Sequence, residues 1–117
     1  MAKVRVAVNG YGTIGKRVAD AIARQPDLEL VGVAKTRPNY EARRAFDRKI
    51  PVYVAGAGSA AEFETAGVRT AGTLADLLGR ADLVVDATPD KVGRENRAVY
   101  DKHGLPAIFQ GLSLIHI

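Results

Sequence analysis

The sequence contains no cysteine, and across its 117 residues that single absence excludes a great deal. No disulfide framework, thiolate zinc site or cysteine nucleophile can be built from these residues. The lack fits a reducing cytosol. Histidine is nearly missing as well: only His103 and His116 occur, too few for a histidine-rich metal site. There is no Ser/His/Asp arrangement, no paired-carboxylate site and no metal-ligand spacing, so no metal is expected. Aromatic residues are limited to four tyrosines and three phenylalanines. Stacking positions for nucleic acid are therefore sparse, and no recognition motif of that class is present. No apolar run approaches the roughly 20 residues that span a bilayer. Met1 to Arg5 enter an alternating pattern at once, which leaves no room for a signal peptide.

What is present describes an ordinary soluble domain. Hydrophobic residues make up 47% and charged residues 26%, and the length suits one domain with a single compact core. Lysine and arginine number 17 against 13 acidic residues, a formal charge of +4. Such a surplus favours an anionic partner. The cations form no long block, so a phosphate-rich small molecule fits better than nucleic acid.

Hydropathy alternates between two periods along the chain. Residues 3–8 carry valines at Val4, Val6 and Val8 around a small Ala7, the pattern of a buried strand. After the turn from Asn9 to Gly12, Ile14, Val18 and Ile22 recur every four residues, an amphipathic helix starting near Thr13. Further strands are expected at 28–34, 52–55, 83–87 and 105–109, and helices at 39–49, 60–66 and 91–102, with a helix after an N-cap at Thr73. Residues 68–71 fit either type. Strands alternating with helices imply parallel pairing and right-handed crossovers. The expected fold is a Rossmann-type doubly wound parallel α/β sheet.

Gly10-Tyr11-Gly12-Thr13-Ile14-Gly15 matches G-x-G-x-x-G. The pattern alone is weak, but here it follows a strand, opens a helix and lies within a βαβ unit, the setting a dinucleotide fingerprint requires. Gly10 permits the tight turn, Gly12 lets a pyrophosphate approach the backbone, and Gly15 lets the helix pack closely. The N–H groups near Thr13 and Ile14 would face that pyrophosphate at the positive end of the helix. The competing reading is a tight strand-to-helix turn without a ligand.

The exit of the second strand bears on which dinucleotide is held. An NAD site usually places Asp or Glu there, on the ribose 2′-hydroxyl. Here the chain reads Lys35-Thr36-Arg37. Two cations and a hydroxyl would attract a 2′-phosphate, and Arg can grip phosphate oxygens with two parallel hydrogen bonds. NADP is therefore preferred, with NAD still compatible; a solvated basic turn is the plain alternative. Asp86 ends a strand and is better read as capping the next turn than as catalytic. Thr88-Pro89 and Gln110-Gly111 follow strands at their carboxyl ends, where ligands bind in open α/β sheets. His103 beside Gly104 is read as a helix-end residue. Arg43, Arg44, Arg48 and Lys49 are read as a solvated helix face.

Four stretches resemble a known family. Val8-Asn9-Gly10-Tyr11-Gly12-Thr13-Ile14-Gly15-Lys16-Arg17-Val18-Ala19-Asp20-Ala21 resembles the opening of archaeal-type (type II) glyceraldehyde-3-phosphate dehydrogenase. Val33-Ala34-Lys35-Thr36-Arg37-Pro38 with Glu41-Ala42-Arg43, residues 81–89, and Ala107-Ile108-Phe109-Gln110-Gly111 resemble later parts of the same family, in order. The resemblance implies a cytoplasmic homotetramer of central carbon metabolism. Such an enzyme oxidises glyceraldehyde 3-phosphate, with phosphate and NAD(P), to 1,3-bisphosphoglycerate. It implies pyrophosphate contacts at Thr13 and Ile14, 2′-phosphate contacts at Lys35 and Thr36, and a cofactor-lining Gly111. The family's nucleophile is a cysteine further along the chain, so no catalytic residue is expected within these 117 and the chain alone is expected to be inactive.

After Gly111 the pattern breaks. The family continues with glycine and an acidic residue, whereas this chain reads Leu112-Ser113-Leu114-Ile115-His116-Ile117. Those six residues can be encoded by CTG TCT CTT ATA CAC ATC, the transposon mosaic end used in preparing sequencing libraries. Residues 1–111 are thus expected to be an incomplete NAD(P)-binding domain and 112–117 a non-native tail. An exposed sheet edge is expected near Leu105 to Phe109, with a tendency to associate. Other readings are the N-terminal domain of a homoserine or semialdehyde dehydrogenase, and a non-catalytic NADP-sensing module.

Overall fold

A computed structural model describes residues 3–56 and 58–110. Among them, six strands form one parallel sheet: β1 (Val4–Asn9), β2 (Leu28–Lys35), β3 (Val52–Val54), β4 (Gly72–Thr73), β5 (Leu83–Asp86) and β6 (Ala107–Phe109). Their spatial order is β4-β3-β2-β1-β5-β6. The chain winds outward from β1 through β2, β3 and β4, then returns to the other side of β1 to lay down β5 and β6. The order therefore reverses at β1 and β5, and a crevice opens beyond the carboxyl ends of those two neighbours.

Among the described residues five helices connect the strands: α1 (Thr13–Ala23), α2 (Tyr40–Asp47), α3 (Ala60–Thr65), α4 (Leu74–Leu78) and α5 (Asp90–Lys102). The alternation of side chains in β1 shows why both faces must be covered. Val6 and Val8 are buried with Ala19 and Ile22 of α1, Ala42 and Ala45 of α2, and Phe63 of α3. Ala7 points the other way, into a second core with Leu77 and Leu78 of α4 and Tyr100 of α5. Each fully buried valine contributes about 1.5–3 kcal/mol relative to leaving it exposed. Val4, expected on the buried face, stays 43% exposed at the strand's start.

The expected elements form with small changes at their ends. The second helix stops at Asp47 rather than Lys49, because Lys49 turns into the left-handed region at φ 63°. The ambiguous stretch at 68–71 leads into β4, a two-residue strand, and Thr73 then caps α4 through a reciprocal capping box with Asp76. Gly104, at φ 67°, follows the His103 cap of α5. The last strand covers Ala107–Phe109 and is an edge of the sheet among the described residues, with Ile108 46% exposed. Gly111 and residues 112–117 lie outside the described residues.

One register irregularity lies beside a close packing contact. Between Val6 and Ala7 the pairing of β1 with β2 slips, so that Val6 faces Leu30 while Ala7 faces Gly32. A side chain at Gly32 would meet the Tyr53 ring at 2.6 Å. The glycine makes room for that buried ring, whose hydroxyl accepts a hydrogen bond from Arg80 at 2.9 Å.

Candidate functional site

The turn after β1 shows three glycines with three separate steric reasons. Gly10 sits at φ 100°, a backbone conformation that side chains disfavour, and a Cβ there would press on the Ala87 carbonyl at 3.1 Å. Gly15 is the tightest: a Cβ would lie 2.2 Å from the Gly10 oxygen and 3.4 Å from the Ala87 methyl. Gly12 is different. A Cβ there would meet nothing closer than the Glu41 carboxylate at 3.6 Å. Packing does not demand glycine at 12, whereas a ligand pressed against the backbone would.

The start of α1 is also unlike those of the three helices that follow. Asn39, Ser59 and Thr73 cap α2, α3 and α4 with side-chain oxygens, whereas Gly12 has no side chain to cap α1. The first N–H groups of a helix have no partner within it. Those of Thr13 and Ile14 are thus left to an outside acceptor, and no acidic residue occupies the first turn of α1. This arrangement fits a pyrophosphate: open backbone at Gly12, uncapped N–H groups behind it, and the positive end of the helix dipole.

These residues line a cavity of about 460 Å³ together with Asn9, Ala34, Lys35, Thr36, Glu41, Ala87, Thr88 and Pro89. It lies across the carboxyl ends of β1, β2 and β5. Gly10, Gly12, Thr13, Ile14, Lys35 and Thr36 are brought together there, while Gly15 supports the turn from behind. Arg37 is not among the lining residues; its side chain is exposed beyond them. At the exit of β2, Lys35 and Thr36 are thus the residues of that stretch that line the cavity. An adjoining cavity of about 500 Å³ shares Tyr11, Gly12, Thr13 and Glu41 and adds Lys16, Arg17 and Arg44.

Glu41 is the site residue that the motif reading missed. Its carboxylate meets the Lys35 ammonium at 3.0 Å and accepts from Asn39 Nδ2 at 3.3 Å. It lies six positions after Lys35, across a strand exit and a helix cap, so no helical or strand spacing announces the pair. Tyr11 was a placeholder in the glycine motif. In the structure it is buried, and its hydroxyl accepts from Arg48 at 3.2 Å. Arg48 also pairs with Asp20 at 3.0 Å, so it ties α2 to α1 while staying on the expected exposed face. Arg43 and Arg44 do remain exposed; Arg44 donates to the Tyr40 hydroxyl at 2.7 Å.

Asp86 is a buried structural hub beneath the cavity. It is 1% exposed and accepts from the Thr88 N–H at 2.9 Å, from the Thr88 hydroxyl, from Asn96 at 3.1 Å and from the Tyr100 hydroxyl at 2.5 Å. Asn9 donates in turn to Tyr100 at 2.8 Å. Burial, reinforced by the hydrogen bond to Asp86, pushes the Tyr100 phenol far above its ordinary value, so it stays a neutral donor. The network ties the ends of β1 and β5 to α5 and fixes Thr88 at the cavity wall. The expected capping role of Asp86 is thus observed, within a larger network. His103 caps α5 at the end remote from this cavity. Among the described residues, no group of three or more His, Asp and Glu side chains comes together.

With the geometry in place, similarity to known proteins adds the lineage. A protein-family model described as "Dihydrodipicolinate reductase, N-terminus" matches residues 4–110. The glyceraldehyde-3-phosphate dehydrogenase of Thermococcus onnurineus is 58% identical over 109 residues, covering 93% of this chain and 33% of its own length. That of Archaeoglobus fulgidus is 57% identical over 112 residues, covering 95% of this chain and 33% of its own. The chain therefore spans about a third of the length of the curated relatives it matches. Among solved structures, the WlbA dehydrogenase from Bordetella pertussis, in complex with NADH and UDP-GlcNAcA, superposes with a TM-score of 0.63 at 24% identity. It covers 92% of this chain and 29% of that one, and shows a shared fold. The chain belongs to the family described as dihydrodipicolinate reductase, N-terminus, and it is similar in sequence to about a third of the length of archaeal glyceraldehyde-3-phosphate dehydrogenases.

Proposed function

We propose that the chain is the dinucleotide-binding portion of a phosphorylating glyceraldehyde-3-phosphate dehydrogenase and that it holds NADP in preference to NAD. The observation that carries the reading is the glycine turn: packing requires Gly10 and Gly15, whereas the open face at Gly12 has no packing reason. The identity of 55–58% to dehydrogenases of that name favours this enzyme over another reductase sharing the domain. In this reading Gly10, Gly12 and Gly15 shape the turn, and the Thr13 and Ile14 N–H groups bind the pyrophosphate. Lys35 and Thr36 face the adenosine 2′-phosphate, and Arg37 adds long-range attraction from outside the cavity. Gly111 would line the same site, from outside the described residues.

When bound, the nicotinamide would supply a hydride acceptor for aldehyde oxidation. The chain's own residues bind and orient; none acts on the aldehyde. The catalytic cysteine, the substrate sites for glyceraldehyde 3-phosphate and phosphate, and the contacts of a cytoplasmic homotetramer would belong to sequence outside this chain. Residues 1–111 are accordingly proposed as its native cofactor domain and 112–117 as foreign to it.

Calorimetric titration of NADP and NAD into wild type and Lys35→Glu tests the reading. A lost charge-assisted hydrogen bond is worth about 1.5–3 kcal/mol, so NADP affinity should fall roughly tenfold to a hundredfold and NAD affinity much less. Equal losses would remove the 2′-phosphate role from Lys35. A wild type that binds neither dinucleotide would remove the cofactor site itself.

A further inference from the structure

The ion pair across the cavity raises a question that the cofactor reading leaves open. The Lys35 side chain is only 13% exposed, and its ammonium is already engaged by the Glu41 carboxylate at 3.0 Å. A cation neutralised in this way attracts a phosphate less than a free one. The carboxylate also lies in the wall of the cavity, where it would repel an approaching dianion.

Glu41 is held so that it can release Lys35 without moving far. It lies in the first turn of α2, and Asn39, which caps that helix through the Ala42 N–H at 3.1 Å, also donates to Glu41 Oε1 at 3.3 Å. Both hydrogen bonds fall on Oε1, while Oε2 faces Gly12. The carboxylate therefore spans the space between the glycine turn and the end of β2. A ribose linking a pyrophosphate at the turn to a base beyond β2 has to pass there. Its hydroxyl groups are donors that a carboxylate accepts well, whereas a 2′-phosphate is not.

We propose that Glu41 sets the balance between the two dinucleotides by competing for Lys35. With a 2′-hydroxyl in the site, Glu41 keeps the ammonium and accepts from the ribose. With a 2′-phosphate, the ammonium transfers to the phosphate and Glu41 stays anchored on Asn39. One chain can then take either dinucleotide, and Glu41 lowers the preference for NADP below what Lys35 and Thr36 would give alone. The proposal rests on the cofactor reading above and deepens it.

Glu41→Gln keeps the shape and the hydrogen bonds while removing the charge. Calorimetry with NADP and NAD should show the ratio of their affinities shifting toward NADP by about tenfold or more, the scale of one charge-assisted contact. Repeating the substitution in a Lys35→Met background should give a smaller shift, the part due to direct repulsion and the ribose contact, because the competition needs the ammonium. Thermal melts of each variant confirm that the fold is intact. A ratio unchanged by Glu41→Gln, in a wild type that binds both dinucleotides, would overturn the role of Glu41 and leave the cofactor site standing. An equal shift with and without Lys35 would overturn the competition. Binding of neither dinucleotide by wild type would overturn both readings together.

Discussion

Replacing Gly15 by alanine sets two physical effects against each other. Gly15 lies in the first turn of α1, and alanine is favoured over glycine inside a helix by about 1 kcal/mol. Propensity alone makes the variant more stable. The structure reverses the sign. The new methyl would stand 2.2 Å from the Gly10 oxygen and 2.9 Å from its carbonyl carbon, where ordinary contact begins at 3.4 Å. The helix and the turn must part by about 1.2 Å. Both sides of the contact are backbone, so no side chain can swing away. Gly10 is itself held against Ala87 and Thr88 of the neighbouring loop. Overpacking of this kind costs about 1–3 kcal/mol, with the upper end expected here. The net loss is about 1–2 kcal/mol, or roughly 4–8 °C in Tm for a domain of this size.

Urea unfolding followed by circular dichroism measures the difference. Gly79→Ala is the matched control. Gly79 closes α4 at φ −66° and ψ −16°, and a Cβ there makes only ordinary contacts at 3.5 Å. The control should gain about 0.4–1 kcal/mol through the unfolded state. Gly15→Ala should also weaken dinucleotide binding, because the N–H groups of Thr13 and Ile14 move with α1. A Gly15→Ala variant at least as stable as wild type would refute the close-packing argument.

Two further predictions concern groups away from the turn. Tyr100→Phe removes one of the hydrogen bonds that buried Asp86 accepts and the acceptor of Asn9 Nδ2, at a cost of about 1–3 kcal/mol; a loss under about 0.5 kcal/mol in urea unfolding would show that the Tyr100 contacts carry no stability. Asp82 is held below the ordinary aspartate range by hydrogen bonds from the Arg5 side chain and then the Arg5 backbone N–H. A lowered folded value means that its contribution is full above the unfolded value of about 3.9 and is lost as the pH falls through the folded one. Wild type and Asp82→Asn should therefore differ in stability near neutral pH and converge in acid. A gap that persists or widens in acid would contradict the assignment.

The legible part of the fold is what local chemistry dictates. Alternation in β1, the four-residue period of α1, and the Thr73 cap are properties of neighbouring residues, and their elements form close to where the pattern puts them. The glycine motif is equally local, since the turn of Gly10 and the contact from Gly15 to its oxygen arise within one strand-to-helix unit. Element ends were less legible. Lys49 leaves the helical region although its neighbours favour a helix, and Ile50 N–H then bonds back to Ala45 O at 3.0 Å.

By itself the sequence determined the alternating architecture, the glycine turn and the basic exit of β2. Tertiary structure alone decided how those parts meet. It withdrew Arg37 from the cavity wall, brought Glu41 onto Lys35, and turned Tyr11 inward to Arg48. It also joined Asn9, Asp86 and Tyr100, up to 91 residues apart, into one buried network. The physical reason is the same in each case. Periodicity and capping act over a few residues of one chain segment. An ion pair or a buried hydrogen bond depends on which segments the fold lays side by side, and for Asn9, Asp86 and Tyr100 the adjacency of β1 and β5 fixes that.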